Sequence, residues 1–166
     1  MKRAIVVVAV LACGCVFLPK IETQHPNGYA KLVKIVPECS TSTGMSDNYS
    51  ACFIAAEILE APSPKKATAI FISRWEEMAF GDFEAKRKQG VAESSLTNTL
   101  VMGSVIHDWS VATKRIVFPV LENIYQTSND DYSKAMYPQI DLLNLLSRSS
   151  FDSFREIHTK AVSANP

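Results

Sequence analysis

Apolar residues recur at the spacing of a buried helix face from residue 46 onward, and this pattern constrains the fold more than any other feature of the chain. In the first such segment they stand at positions i, i+3, i+4, i+7 and i+10, on one side of an α-helix. Pro62 ends this helix, and Ser63-Pro64 begins another, because serine caps a first turn and proline suits its first position. The apolar face of the first helix consists of Tyr49, Cys52, Phe53, Ala56 and Leu59.

The C-terminal half carries the same helical signal. A third long helix is predicted from about Ser95, with Pro119 kinking or breaking it, and a polar connection follows at 126–131. Pro138 begins a further helix that is apolar on nearly all sides and is therefore expected in the centre of the bundle. Ser150 caps the last helix, whose core-facing side consists of Phe151, Phe154, Ile157, His158 and Ala161. Because no segment alternates with period two, we predict an all-α fold, a compact bundle of about five to six helices.

The N-terminus has the order of segments found in a secretory leader. Lys2 and Arg3 precede a nine-residue apolar stretch without charge, at 4–12. The uncharged run extends to Leu18 and reaches 15 residues. This is short of the ~20 residues that a membrane-spanning helix needs. The pattern therefore favours an export leader over a full transmembrane anchor.

Three versions of this leader remain open. It is a cleaved signal peptide, a lipoprotein signal with the lipid on Cys15 or Cys13, or a short retained anchor. All three place the body of the chain outside the cytoplasm, and we expect it in the periplasm. We therefore divide the chain into an export leader at 1–18, a linker at 19–45 and a helical domain at 46–166.

The charge balance excludes two classes of partner. The chain has 17 basic and 17 acidic residues, and removing Lys2 and Arg3 with the leader leaves 15 against 17, a net charge of −2. Such a balance does not attract nucleic acid or an anionic membrane surface. We expect no nucleic-acid partner, and contact with a membrane only through the N-terminal leader or its lipid.

Two cysteines, Cys39 and Cys52, remain after the leader. In an oxidising compartment such a pair is a disulfide candidate, and its loop would contribute roughly 3 kcal/mol by constraining the unfolded chain. The alternative is a reduced Cys52 that packs as a small hydrophobe in its helix face. The sequence alone leaves both states open.

The common catalytic and metal-binding motifs are missing from the sequence. It has no H-E-x-x-H, C-x-x-C or G-x-S-x-G motif and no glycine-rich phosphate loop. His107 and Asp108 are adjacent on a helix and point about 100° apart, so they do not form a general base with its orienting carboxylate. The pairs Glu76-Glu77 and Asp130-Asp131 lack the oxygen-donor spacing of a calcium loop. We predict a protein without catalytic residues, metal site or cofactor, with convergence of His107 and distant carboxylates as the enzymatic alternative.

Two segments carry a resemblance to a known family. Tyr49-Ser-Ala-Cys52-Phe-Ile-Ala-Ala56 resembles the Tyr-x-x-Cys start of the first helix in periplasmic immunity proteins of type VI secretion amidase effectors, and Ile140–Val162 is similar in pattern to their last two helices. The segments cover about 30 of the 166 residues. The chain lacks the family's second cysteine shortly after the first, and its section between residues 64 and 120 is longer. The resemblance implies an exported helical protein that tends to dimerise and that occludes the active-site cleft of a secreted peptidoglycan amidase.

If the resemblance holds, one polar connection has the composition of an inhibitory surface. A loop that inserts into an enzyme cleft needs polar groups and an aromatic anchor between rigid helices. The residues predicted to bind the partner are Gln126, Asn129, Asp130, Asp131 and Tyr132. The alternative is that these residues form an ordinary solvated loop.

A second class of function also stays open. An exported helical domain can instead bind a hydrophobic small molecule in its bundle core. The candidate lining residues for such a pocket are Trp75, Trp109 and Leu143.

Overall fold

The computed structural model describes residues 20–42, 48–77, 111–145 and 148–164. Every regular element in these ranges is helical, which confirms the prediction of an all-α fold. The α-helices of these ranges are α1 (Ile21–Gln24), α2 (Pro26–Ile35), α3 (Tyr49–Glu60), α4 (Pro64–Trp75), α5 (Phe118–Ser128), α6 (Asp131–Met136), α7 (Gln139–Leu143) and α8 (Arg148–Ala164). A 3-10 turn at Pro37–Thr41 follows α2, and a π-helical turn at Thr113–Val117 leads directly into α5.

Helix α3 is the centre of the described fold. Eight of its 12 residues are buried, and it packs against α2, α4, α5 and the π-helical turn. Of the predicted apolar face, Phe53 is partly exposed and the other four residues are buried. The helical spacing of the sequence therefore identified the right segment and the right face.

Residues 20–42 were predicted to lie in a linker, and this prediction is wrong. They form α1, α2 and the 3-10 turn, and Leu32 is completely buried against the rest of the core. The turn signals misled the interpretation, because Pro26 opens α2 and Gly28 lies inside it. A Cβ atom at Gly28 would overlap the carbonyl oxygen of Ala56, so glycine is required for the close approach of α2 to α3.

Two predicted helix boundaries are confirmed at atomic detail. The hydroxyl of Ser63 accepts a hydrogen bond from the backbone N–H of Lys66 at 3.3 Å, and Pro64 occupies the first turn of α4. Pro119 lies in the first turn of α5, immediately after the π-helical turn, so the helix is irregular where the sequence indicated. The remainder of the predicted third helix, 95–110, lies outside the described residues.

An aromatic cluster joins α4, α5 and α8. The rings of Phe71 and Phe154 meet edge to face with centroids 5.8 Å apart, and Trp75 stacks on Phe151 at 5.6 Å. Phe118 packs against Phe71 from α5. Such pairs add stability beyond the apolar area that they bury. The predicted core face of the last helix is confirmed by the burial of its two phenylalanines.

The region around α7 differs from the prediction. The helix after Pro138 was expected to be apolar on nearly all sides and central, but α7 has only five residues, of which two are buried. Ile140 and Leu143 are buried, whereas Leu145 is 72% exposed. Helix α8 begins at Arg148, so Ser150 lies in its first turn and does not precede it as a cap.

Cys39 and Cys52 form the predicted disulfide pair. Their Cα atoms are 5.7 Å apart, within the range of protein disulfides, and both residues are fully buried. The pair joins the 3-10 turn to α3, so it fastens the N-terminal segment onto the central helix.

No helix among the described residues is long and apolar enough to cross a bilayer. The predicted leader with Cys13 and Cys15 lies outside the described residues.

Candidate functional site

The segment predicted to bind a partner is mostly helical. Helix α5 continues through Ser128, and α6 starts directly after Asp130, so only two residues stand between the helices. Asn129 takes a left-handed conformation (φ 49°) at the end of α5. The carboxylate of Asp130 caps α6 by accepting a 2.7 Å hydrogen bond from the N–H of Ser133. This is a tight helix–helix corner and not an extended loop.

Tyr132 was predicted to be the aromatic anchor of the interface, and the structure contradicts this role. The residue is 2% exposed, and its hydroxyl lies 2.7 Å from Nδ1 of His158. Its ring packs edge-on against Tyr125, whose hydroxyl is 2.6 Å from that of Thr68. Burial raises the pKa values of both tyrosines and lowers that of His158, so it favours the neutral form of all three side chains. Tyr132 is a core residue with a satisfied hydroxyl.

The other predicted contact residues remain on the surface. One carboxylate, that of Asp131, is 3.6 Å from the ammonium group of Lys134. The accessible members of the predicted set are Gln126, Asn129, Asp130 and Asp131.

Tyr137 supplies the exposed aromatic side chain that Tyr132 does not. It is 40% exposed and lies in the turn between α6 and α7. Its hydroxyl accepts a 2.8 Å hydrogen bond from Nε2 of Gln126 and donates one of 3.3 Å to the carboxylate of Glu122. The ring is therefore accessible and held in one position, as an interface anchor requires.

A groove of about 180 Å³ runs beside Tyr137, between α5 and α7. We call it the α5–α7 groove. Phe118 and Ile140, which help to line it, are buried, and most of the other lining side chains are charged or polar. The residues that line it are Lys114, Phe118, Pro119, Glu122, Tyr137, Ile140, Asp141 and Asn144.

Helical spacing explains how these residues come together. The residues at 114, 118 and 122 are spaced by four and share one face of α5 and the turn before it, while those at 137, 140, 141 and 144 share one face of the α7 region. The spacing was present in the sequence. It was missed because the residues after Pro138 were interpreted as a central helix, buried on all sides.

A second, more open groove of about 720 Å³ lies beside α2. Its carboxylate, Glu60, accepts 3.0 Å hydrogen bonds from the N–H groups of Asn27 and Gly28 and lies 2.9 Å from Nδ1 of His25. These bonds lower the pKa of Glu60, the one from Gly28 most. The backbone N–H groups at the start of α2 are thus already bound by a side chain of the protein itself, that of Glu60.

The acidic pair at 76–77 forms ion pairs with the protein's own arginines. Glu76 is 2.8 Å from Arg155, and Glu77 is 3.1 Å from Arg74. Within the described ranges, no three His, Cys, Asp or Glu side chains are grouped closely enough to hold a metal ion. The candidate residues His107, Asp108 and Trp109 lie outside those ranges.

No protein-family model, curated protein or solved structure matches this chain. Of the two segments that carry the family resemblance, Tyr49–Ala56 lies in α3, and the described part of the second segment includes most of α7 and α8.

Proposed function

We propose that this protein is an exported immunity protein that binds a toxic secreted cell-wall amidase and occludes its active site. The sequence resemblance suggests the partner, and the predicted leader supports export to the periplasm, where peptidoglycan is exposed. The surface around Tyr137 supplies a means of binding. The protein itself acts by binding and needs no cofactor.

The disulfide supports the proposed location. Disulfides form and persist in oxidising compartments such as the bacterial periplasm and are rare in the cytosol. The Cys39–Cys52 pair lies in the core at the attachment of α2 to α3. It therefore belongs to the folded architecture and fits a protein that folds after export.

The observation that carries the proposal is the fixed, exposed ring of Tyr137. Interface anchors are commonly tyrosine, tryptophan or arginine residues, surrounded by contacts that exclude water. Tyr137 is oriented by Gln126 and Glu122, and the exposed Leu145 adds apolar surface to the same region of the chain. We assign the inhibitory contact to this surface and no longer to Tyr132.

The test is whether this protein protects cells that produce a candidate secreted peptidoglycan amidase, the first candidate being any amidase encoded beside this gene. The amidase is directed to the periplasm with and without the protein, and lysis and complex formation on size exclusion are measured. We expect rescue and a nanomolar complex, as is typical of specific interfaces of standard size. No rescue together with no complex would refute the proposal. The same column shows whether the free protein dimerises, as the family resemblance implies.

A matched pair of variants tests the choice of surface. Tyr137→Ala should weaken the complex about 30-fold or more, because truncating an anchor commonly costs about 2 kcal/mol. Lys34→Ala changes an exposed side chain on α2, outside the surface around Tyr137, and should leave the affinity unchanged. A variant in which all of residues 126–133 are replaced would not be a clean test of this surface, because it also removes Tyr132 and Ser133 from the core.

Two of the three residues proposed to line a small-molecule pocket are packed in the core, and this packing does not favour the small-molecule alternative. Trp75 and Leu143 are 3% and 2% exposed, and the Trp75 ring is packed against Phe71 and Phe151. These two side chains fill the core, and the third candidate, Trp109, lies outside the described residues. Binding of an amidase is therefore the function that we carry forward.

A further inference from the structure

We propose that Asn27 is a site of spontaneous deamidation, which the attachment of α2 to α3 suppresses in the folded protein. In this reaction the side-chain amide of an asparagine is converted to a carboxylate without an enzyme. The site belongs to the start of α2 and does not depend on the identity of any partner protein. Its chemistry follows from the residue after Asn27 and from the hydrogen bonds that Glu60 accepts.

Asn27 has the neighbour and the exposure that this reaction needs. It is followed by Gly28, which has no side chain to shield its backbone nitrogen. That nitrogen attacks Cγ of the Asn27 amide and closes a succinimide ring, and ammonia leaves with the hydrogen of the Gly28 N–H. Water then opens the ring at either of its carbonyl groups and produces aspartate or isoaspartate. The Asn27 side chain is exposed to the water that completes the reaction.

The folded start of α2 opposes the attack. The N–H of Gly28 donates a 3.0 Å hydrogen bond to Oε1 of Glu60, and the N–H of Asn27 donates another to the same oxygen. Both residues lie in the first turn of the helix, where the Cα–Cβ bond points toward the helix start and thus away from the next backbone nitrogen. Ring closure therefore requires the peptide between residues 27 and 28 to rotate out of the helix and to release Glu60.

The packing of α2 on α3 opposes this rotation as well. Gly28 is buried within α2, so close to the backbone of Ala56 that a Cβ atom would overlap it. The Cys39–Cys52 pair fastens the segment after α2 to the same helix. Ring closure thus requires local opening of this attachment, and the rate of deamidation should follow the fraction of molecules in which α2 has opened.

Either product would weaken the attachment. An aspartate at position 27 brings a second negative charge near the carboxylate of Glu60, and like charges repel. An isoaspartate adds an atom to the main chain directly before Gly28 and so disturbs its close fit against Ala56. A molecule that reacts while it is open is therefore changed permanently, and we expect it to hold α2 less tightly than before.

The experiment incubates the purified, oxidised protein at mildly alkaline pH and follows the peptide that contains Asn27 by mass spectrometry. We expect conversion at Asn27 to be at least about tenfold faster in the chain unfolded by urea than in the folded protein. Asn144 is the internal control, because it is exposed but is followed by the bulky Leu145, and it should convert far more slowly than Asn27 in the unfolded chain. No conversion at Asn27 in the unfolded chain, or equal rates in the two states, would overturn the proposal.

A matched pair of variants tests how the site is suppressed. Glu60→Ala removes the acceptor of both N–H groups and should accelerate conversion in the folded protein about tenfold, because hydrogen bonds to a charged group are among the stronger ones. Glu57→Ala, one turn earlier on α3, removes a carboxylate that binds Arg74 and should leave the rate unchanged.

Circular dichroism shows whether both variants are folded. If Glu60→Ala is not, Glu60→Gln takes its place, with a smaller acceleration expected because an uncharged oxygen remains as acceptor. An unchanged rate in the folded Glu60 variant, or the same acceleration in the Glu57 variant, would overturn suppression by the contact between Glu60 and α2.

Discussion

Gly28 determines how closely the N-terminal helix approaches the centre of the molecule. It is buried within α2, and a Cβ atom there would overlap backbone atoms of Ala56 on α3. Backbone cannot move aside as the end of a flexible side chain can. The contact that attaches residues 20–42 to the core therefore depends on one missing methyl group.

We expect Gly28→Ala to destabilise the protein by about 1–3 kcal/mol, the usual cost of overpacking. The sign is informative, because alanine in an unconstrained helix interior would be favoured over glycine by about 1 kcal/mol. Urea unfolding gives the free energy. Ala30→Ser, at an exposed position of the same helix, is the control and should change stability by less than about 0.5 kcal/mol. A stabilised Gly28→Ala variant would contradict the close contact.

Glu60 makes stability depend on pH at the same helix end. Hydrogen bonds from the Gly28 N–H and from His25 lower the pKa of this carboxyl below its ordinary value of 4.5. Because the folded pKa is the lower one, the contribution is complete above about pH 4.5 and is lost as pH falls through the folded pKa.

Glu60→Gln should remove this acid-dependent part of stability. We expect about 1 kcal/mol lower stability at neutral pH, because a neutral amide at this position would not offer the charged acceptor. The difference between the proteins should shrink as pH falls below 4.5. Urea midpoints at pH 7 and pH 3 measure both effects, with Glu22→Gln on the exposed face of α1 as the neutral-pH control. A difference that stays constant across this range would contradict the role of the Glu60 charge.

At the scale of elements, the disulfide holds the 3-10 turn on α3. Its loop is short, with a sequence separation of 13 residues. Reduction, or the double variant Cys39→Ser, Cys52→Ser, should lower stability by roughly 3 kcal/mol. We also expect faster proteolysis within 20–42 than within α8, since only the first of these is attached by the bond. Adding reductant to the double variant is the control and should have no further effect.

The sequence correctly predicted those features that depend on neighbouring residues within one or two helical turns. Three of them are confirmed: the end of α3 before a proline, the Ser63-Pro64 start of α4, and the buried phenylalanine face of α8. The helix α2 was missed because Gly28 normally weakens a helix. Glycine is needed at position 28 because α2 contacts the backbone of Ala56 there. Ala56 is 28 residues away along the chain, so a local sequence pattern does not reveal this contact.

The candidate site was predicted only in part, again because contacts between residues far apart in sequence decide which side chains are exposed. Gln126 and the corner residues are accessible, as composition suggested, but the choice between Tyr132 and Tyr137 depends on tertiary contacts. Tyr132 is covered because His158 and Tyr125 lie against it. No short-range rule distinguishes the buried tyrosine from the exposed one.

At the scale of the whole molecule, a few arginine contacts join segments that are far apart in sequence. Arg115 lies 2.9 Å from Glu38 and donates to the side chain of Asn48 at 2.8 Å. Arg155 reaches Glu76 across 79 positions of the chain. These ion pairs are largely exposed and each adds at most about 1 kcal/mol. The attachment of the N-terminal segment therefore depends mainly on the core and the disulfide, which makes the redox environment important for the whole fold.

This dependence leads to a prediction about location. When the full-length gene is expressed, we expect the protein in the periplasm or its membranes with Cys39 and Cys52 oxidised, because such bonds form and persist in oxidising compartments and are rare in the cytosol. A version that lacks residues 2–18 should stay in the cytoplasm with both thiols free to react with an alkylating reagent. Fractionation followed by mass measurement, with and without reductant, detects both differences.

The same fractions show whether the leader is cleaved, lipidated or retained. If Cys15 or Cys13 carries a lipid, the Cys15→Ser or Cys13→Ser change should move the protein from the membrane to the soluble periplasmic fraction, because a lipid anchor then no longer holds it. An unchanged distribution leaves a cleaved leader or a short retained anchor, which the mass of the mature chain distinguishes. Recovery of the full chain from the cytoplasm with Met1 intact would contradict export, and with it the proposal that this protein meets its amidase in the periplasm.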